Sequence, residues 1–164
     1  MQNTDKIEKL IIDYFNYINK IRKKIIILNN KIKSDSELLD NEKRIENQYI
    51  EMLKSDCLGK GDYHKIIMLP YYIKTEIETN KQLSENEKKD LLKKQKIAEE
   101  NAKHIEQFYN NLQHDEPNRI KRIKKYKSNL KRNRAELKKQ KKEYKYNMFK
   151  IKKLDNKLNN NKVK

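Results

Sequence analysis

The first part of the chain has a regular spacing of apolar positions. Eight apolar residues from Ile7 to Ile32 are separated alternately by four and three residues. They are Ile7, Ile11, Tyr14, Ile18, Ile21, Ile25, Leu28 and Ile32. This spacing places all eight on one stripe of a helix and predicts a long helix that packs along a second one in a coiled coil. The second helix can belong to this chain or to another copy, so self-association through the 7–32 seam is one interpretation.

The next helix boundary is predicted from a capping box. Ser34 and Glu37 have its spacing, which predicts a short antiparallel turn there and a second helix over residues 36–54. The alternative is that the first helix continues, because Asp35 and Ser36 lower the helix propensity without excluding a helix.

The middle of the chain combines a loop with an ambiguous segment. Both glycines lie within residues 55–62, which predicts a loop with positive φ angles. From Tyr71 to Thr79, aromatic or β-branched residues alternate with residues that are mostly charged, as in a β-strand. Pro70 favours an extended backbone at the residue before it. A small β-hairpin at 63–79 is therefore one interpretation. A lone hairpin is only marginally stable. A helix kinked at Pro70 is therefore the equal alternative.

Two further helices are predicted in the remaining sequence. Ser84 and Glu87 form a second capping box, which predicts a helix from there to about Gln113. Pro117 is a residue type favoured at the first helical position and predicts a new helix. That helix has an apolar residue at every seventh position, namely Ile123, Leu130, Leu137, Tyr144, Ile151 and Leu158. The second line of a coiled-coil seam is polar or charged from 127 to 147, so we predict that this helix packs only weakly.

The distribution of charge divides the chain into two parts. Lys, Asn and Ile make up 75 of the 164 residues, a bias that A/T-rich codons would produce, so the amount of lysine alone says little about function. However, residues 117–164 contain 20 Lys and Arg against three acidic residues, whereas residues 1–116 contain 21 of each sign. The net charge of +17 therefore comes entirely from the last 48 residues. We predict a neutral helical body over 1–116 and a basic helical arm over 117–164.

These patterns together predict a mostly α protein. Its body is expected to be an elongated antiparallel coiled coil or helical hairpin, followed by a long basic C-terminal helix. The β-hairpin at 63–79 is the only strand structure that the sequence allows for.

The basic arm is the leading functional feature. Lys and Arg four residues apart repel each other on a helix, and a bound polyanion removes this repulsion. Arginine binds phosphate through two parallel hydrogen bonds and lysine acts as a point charge. We therefore predict a non-enzymatic protein that binds nucleic acid, with RNA favoured, alone or in a nucleoprotein complex. The predicted contacts are Arg119, Arg122, Lys125, Lys131, Arg132, Arg134, Lys138, Lys139, Lys142 and Lys145, with Tyr126, Tyr144 and Tyr146 stacking on bases.

Several alternatives remain open for this arm. It can be a solvated, charge-rich helix without a nucleic-acid role, or it can bind an acidic protein surface. An anionic membrane is less favoured because the arm lacks a wide apolar face opposite its charges. The competing function is a small inhibitor or scaffold, of the kind that mobile elements encode, which blocks a nucleic-acid-handling enzyme through protein contacts.

Other function classes lack support in the sequence. His64, His104 and His114 do not have the spacing of a metal site, and no cofactor motif is present. We find no catalytic arrangement and predict that the protein is not an enzyme. No stretch has the ~18 consecutive apolar residues of a membrane span. The single cysteine, Cys57, fits a reducing compartment, so a cytoplasmic location is expected.

Overall fold

A computed structural model describes residues 2–163 as three α-helices, and this part of the chain contains no strand. Helix α1 spans Gln2–Leu58, α2 spans Asp62–Thr79 and α3 spans Glu85–Val163. The prediction of a mostly α fold is confirmed. The chain forms two compact units. The two-helix unit comprises Met1–Leu39 and Lys124–Lys164, and the three-helix unit comprises Asp40–Ile123.

The two-helix unit is an antiparallel pair formed by the first part of α1 and the last part of α3. Near its open end, Lys162 Nζ lies 3.7 Å from Glu8 Oε1. Further along, the Tyr17 hydroxyl donates a hydrogen bond to Glu143 Oε2 at 3.2 Å. Its buried apolar residues are Ile18, Ile21, Leu39, Leu130, Ile151 and Leu158. The heptad pattern of 7–32 is thus used for packing within one chain.

The seam of α3 in this unit is continuous, although half of it is polar. Asn133, Gln140 and Asn147 occupy the second line of the heptad repeat, and the last two are buried. Gln140 Nε2 donates to Glu136 Oε1 at 2.8 Å, and Asn147 Nδ2 donates to the Glu143 carbonyl at 2.7 Å. Gln140 Oε1 has no partner in the described structure. Polar seam layers of this kind lower stability but restrict the register of a coiled coil.

The predicted break near Ser34 is wrong, because α1 continues through it. The seam explains this result: Asp35 is half-buried at the next heptad position after Ile32, and Leu39 follows as a buried residue. Weak helix formers cost only a few tenths of a kcal/mol each, less than the burial of a leucine contributes.

The segment 63–79 is helical, so the hairpin interpretation is wrong and the helix with an internal proline is confirmed. Tyr63, Ile66, Pro70, Ile73 and Ile77 are half-buried or buried at helical spacing, which gives α2 one packing face. Helical packing therefore overrides the strand propensity of the alternating sequence.

The three-helix unit holds α2 against the end of α1 and the start of α3. Its core contains Tyr49, Met52, Tyr109 and Leu112, with Tyr63 of α2 packed on them. The rings of Tyr63 and Tyr109 have their centroids 5.0 Å apart. Bulky aromatic residues thus fill the end of the unit where the three helices meet.

Helix α3 begins as predicted and ends much later. The Ser84 amide donates to Glu87 Oε2 at 3.1 Å and the Glu87 amide donates to Ser84 Oγ at 3.2 Å, which confirms the capping box. The predicted end near Gln113 and the new helix at Pro117 are wrong, because α3 continues through the proline. Proline costs about 3 kcal/mol inside a helix. Arg119, two residues after Pro117, is buried and has ion pairs to carboxylates of α1 and α3, which hold this part of α3 in place.

The connection between α1 and α2 needs both of its glycines. Gly59 has φ of 61° and Gly61 has φ of 97°, so the predicted positive φ angles are confirmed. Ser55 of α1 is buried beside this turn, and its Oγ accepts a hydrogen bond from the His64 amide at 2.9 Å. Ser55 thereby caps the start of α2 from a neighbouring helix.

Replacement of Gly61 by alanine is expected to destabilise the protein more than replacement of Gly59. A Cβ at residue 61 would lie 3.0 Å from Ser55 Oγ, and φ of 97° with ψ of 179° is a conformation almost restricted to glycine. A Cβ at residue 59 would meet nothing closer than 3.8 Å. We expect losses of about 2–3 kcal/mol for Gly61→Ala and about 1 kcal/mol for Gly59→Ala in urea unfolding. Equal losses would contradict the role assigned to Ser55.

Candidate nucleic-acid interface

The two units differ completely in charge. The two-helix unit contains 25 Lys and Arg against eight Asp and Glu, whereas the three-helix unit contains 16 of each sign. The whole net charge of +17 therefore belongs to the two-helix unit. Residues 116 and 117, between which the charge pattern divides the chain, both lie in the three-helix unit.

Cations of α3 repeat with the same period as its apolar seam. The residue after each apolar seam position is lysine in five successive heptads. These five residues, which we call the lysine row, are Lys124, Lys131, Lys138, Lys145 and Lys152, and all are exposed. Successive members are about 10 Å apart along the helix axis. Because the row follows the seam, all five lie on one flank of the helix pair.

A second row of cations lies beside the lysine row. Four residues after each of the first three seam positions stand Lys127, Arg134 and Lys141, all exposed. We call these three residues and the lysine row together the basic ridge. In its middle, Leu137 and the side chains of Arg134, Lys138, Lys141, Lys142 and Lys145 line a groove of about 460 Å³. The ridge thus surrounds a shallow concave surface with cations.

The cations of the basic ridge have no carboxylate partner. Among residues 2–163, no ion pair within 4.0 Å involves a cation between Lys124 and Lys157. The two nearest acidic residues along the helix are Glu136 and Glu143, which accept hydrogen bonds from Gln140 and Tyr17 instead. The Glu143 carboxylate also raises the pKa of the Tyr17 hydroxyl, through that hydrogen bond and its charge. An anion from outside the chain can therefore approach the ridge without displacing a carboxylate.

Eight of the ten predicted phosphate contacts are exposed in this unit. They are Lys125, Lys131, Arg132, Arg134, Lys138, Lys139, Lys142 and Lys145. Lys124, Lys127, Lys141 and Lys152 belong to the same surface but are missing from the sequence-based set. The lysine at every seventh position is the signal that would have found Lys124 and Lys152, and the second row adds Lys127 and Lys141.

Arg119 and Arg122 are used differently, because both pair with carboxylates of the three-helix unit. The Arg119 side chain is 0% exposed, and its Nη1 donates to Glu46 Oε2 at 3.1 Å and to Glu116 Oε2. Arg122 Nε donates to Glu42 Oε1 at 2.8 Å, and its Nη2 donates to Asp115 Oδ2 at 2.6 Å. These arginines join α3 to α1 in the structure and are not part of the exposed cationic surface.

The three tyrosines proposed for stacking are also not equivalent. Tyr126 and Tyr144 are half-buried seam residues, and Arg22 Nη2 donates to the Tyr144 hydroxyl at 3.3 Å. Tyr146 is 59% exposed, with Lys150 Nζ at 5.3 Å from its ring centroid. Only Tyr146 of the three presents most of its ring to solvent.

The ionic cluster around Arg119 perturbs the carboxyl groups that it contains. Burial, together with the hydrogen bond and charge of neighbouring Glu46, raises the pKa of Glu116 to about 7. In contrast, the hydrogen bond from Arg122 lowers the pKa of Asp115 below its ordinary value. Two carboxyl groups that share one guanidinium nitrogen favour the retention of a proton between them.

Glu116 is expected to make the protein less stable as the pH rises from about 4.5 to about 7. In this window the folded state retains a proton that the unfolded state has released, so stability falls with increasing pH. Glu116→Gln removes this titration, and its free energy of unfolding should change less than that of the wild type between pH 5 and pH 8. Urea unfolding at both pH values measures the difference. A decrease of the same size in the variant would contradict the assignment to Glu116.

Two other kinds of site have no basis in the described residues. From residue 2 to residue 163, no group of three or more His, Cys, Asp or Glu side chains is arranged to hold a metal ion. Over the same residues, no helix has both the length and the hydropathy needed to cross a membrane.

Comparison with protein families, with curated proteins and with solved structures finds no match to this chain.

Proposed function

We propose that this protein is a non-enzymatic binding protein whose basic ridge docks on the phosphate backbone of a nucleic acid. The observation that supports the proposal is the absence of ion pairs around the ridge, from Lys124 to Lys157, in the described structure. Eight exposed cations on one flank repel each other, and phosphates that displace condensed counterions relieve this repulsion.

The form of the site favours binding that does not depend on base sequence. The ridge lies on the outer flank of a helix whose seam is packed against α1. Lysine contacts phosphate as a point charge and supplies no pattern of hydrogen bonds that would distinguish bases. We therefore expect similar affinities for nucleic acids of the same length and different sequence.

Binding to nucleic acid is expected to weaken steeply with salt, and the lysine row should account for a large part of the slope. For a duplex, each neutralised phosphate contributes about 0.9 to the slope of log K against log salt. Replacement of the five lysines of the row by glutamine should therefore reduce the slope by about 4 to 5. Fluorescence anisotropy from about 50 to about 200 mM salt measures it.

The matched control neutralises five exposed lysines of the three-helix unit. These are Lys89, Lys93, Lys94, Lys96 and Lys103. The control has the same net charge as the lysine-row variant and should keep the wild-type slope. Equal slopes for all three proteins would contradict the proposal. Salt-dependent binding to an acidic protein, with none to nucleic acid, would support the inhibitor or scaffold function instead.

A further inference from the structure

We infer that the basic ridge recognises the backbone of a double-stranded nucleic acid in preference to an unpaired strand. This inference rests on the proposed function and adds the form of the ligand. The ligand is a duplex phosphate backbone, which either RNA or DNA can supply.

Positive charge is dense along the basic ridge. In the three heptads 123–143, the first and fourth residues after each seam residue are all Lys or Arg, and all six are exposed on the same flank. These 21 residues extend over about 31 Å, so one cation stands at about every 5 Å. Each strand of a duplex carries one phosphate per about 3.4 Å of its axis. An unpaired strand can extend its backbone and then presents fewer charges over the same length.

The lysine row is also a rigid array of cations. The five members of the lysine row extend over about 42 Å along one helix, and that helix is held by its seam with α1. A duplex is also stiff on this scale, since its persistence length is about 150 base pairs. Neither partner loses much conformational freedom when they associate. A flexible single strand would have to be ordered along the row, which lowers its affinity.

Most of the ridge also lacks a surface on which bases could stack. Proteins that bind single strands stack successive bases on aromatic side chains, at about 1–3 kcal/mol per base. Between Lys124 and Lys145 the aromatic residues of α3 are Tyr126 and Tyr144, and both are half-buried in the seam. The exposed rings of Tyr146 and Phe149 lie beyond this stretch, at one end of the ridge. Over most of its length the ridge therefore offers contacts to phosphate alone.

The decisive experiment compares ligands with equal numbers of phosphates. The full-length chain is titrated with a mixed-sequence duplex, prepared once as RNA and once as DNA, and with oligouridine and oligothymidine. We expect both duplexes to bind at least about 10-fold more tightly than either single strand. A preference for only one duplex would identify the source of the ligand and would still support the inference. Equal or tighter binding of the single strands would overturn it while leaving the proposed function intact.

Failure of the proposed function itself has a different signature. In that case none of the four ligands binds, or the glutamine variant of the lysine row binds all four as the wild type does. A series of DNA duplexes from about 6 to about 20 base pairs tests the geometry independently. Affinity should rise until the duplex matches the length of the lysine row, at about 12 base pairs, and then increase only slowly. Full affinity at the shortest length would contradict the extended contact.

Discussion

Replacement of Arg119 by alanine is expected to lower the free energy of unfolding by about 3–5 kcal/mol. The Arg119 guanidinium is fully buried, with ion pairs to Glu46 and Glu116 and a 2.7 Å hydrogen bond from its Nη2 to the Leu112 carbonyl. Its carbon Cζ also lies 5.6 Å from the centroid of the Tyr49 ring. Without the arginine, two half-buried carboxyl groups and the Leu112 carbonyl are left with no cation, which is the costly way to break a buried ion pair.

The matched control for this experiment is Arg132→Ala, which removes an exposed arginine of the same helix. Arg132 contacts Asn129 but no carboxylate, so its loss should change stability by less than about 0.5 kcal/mol. Urea unfolding followed by circular dichroism compares the two variants. A similar small loss for both would show that the Arg119 cluster does not hold the helices together. Simultaneous replacement of Arg119, Glu46 and Glu116 by leucine should restore part of the lost stability, because no buried charge is then left without a partner.

Charge reversal in the lysine row is expected to have the largest effect on binding. Replacement of Lys131, Lys138 and Lys145 by glutamate removes three phosphate contacts and adds three repulsive charges on the same flank. We expect affinity for a nucleic-acid duplex to fall by about 100- to 1,000-fold near 100 mM salt. Helix content should change little, since all three side chains are exposed and lack ion pairs.

A second charge-reversal variant distinguishes an effect of the basic ridge from a general effect of net charge. Lys89, Lys93 and Lys96 are exposed residues of α3 in the three-helix unit, and their replacement by glutamate changes the net charge by the same amount. This variant should lose less than about 10-fold in affinity, because salt screens the interaction between charges that are more than about 10 Å apart. An equal loss in both variants would mean that total charge, and not the ridge, determines binding.

Arg119 and Arg122 show how tertiary contacts change the meaning of a charge pattern. In sequence, Arg119 and Arg122 begin the same basic stretch as Arg132 and Arg134. In the structure the first two face carboxylates of α1, whereas the second two are exposed. Glu46 and Glu42 lie more than 70 residues away along the chain. No local pattern around residue 119 could reveal partners at that separation.

The helix boundaries also depend on contacts that local sequence signals do not reveal. Capping boxes occur at Ser34 and at Ser84, but only the second one begins a helix. Pro117 likewise lies inside α3, although the local preference of proline is for the start of a helix or for a position just beyond its end. Local signals of this size are a few kcal/mol at most. They are overridden where a seam continues across them, as it does at Leu39.

The sequence alone determines the α-helical character, the heptad seam of 7–32 and the cationic C-terminal stretch of this protein. These properties depend on spacing and composition, which act between neighbours on one helix and need no knowledge of the rest of the chain. Only the tertiary structure decides which cations are buried in ion pairs and which remain free, because that choice depends on where distant carboxylates of α1 lie. It also decides that a half-polar seam packs, since Gln140 and Asn147 are buried beside acceptors within their own helix. The exposed lysine row depends on both the sequence and the fold. The sequence sets its seven-residue period, and the fold leaves its lysines without carboxylate partners among the described residues.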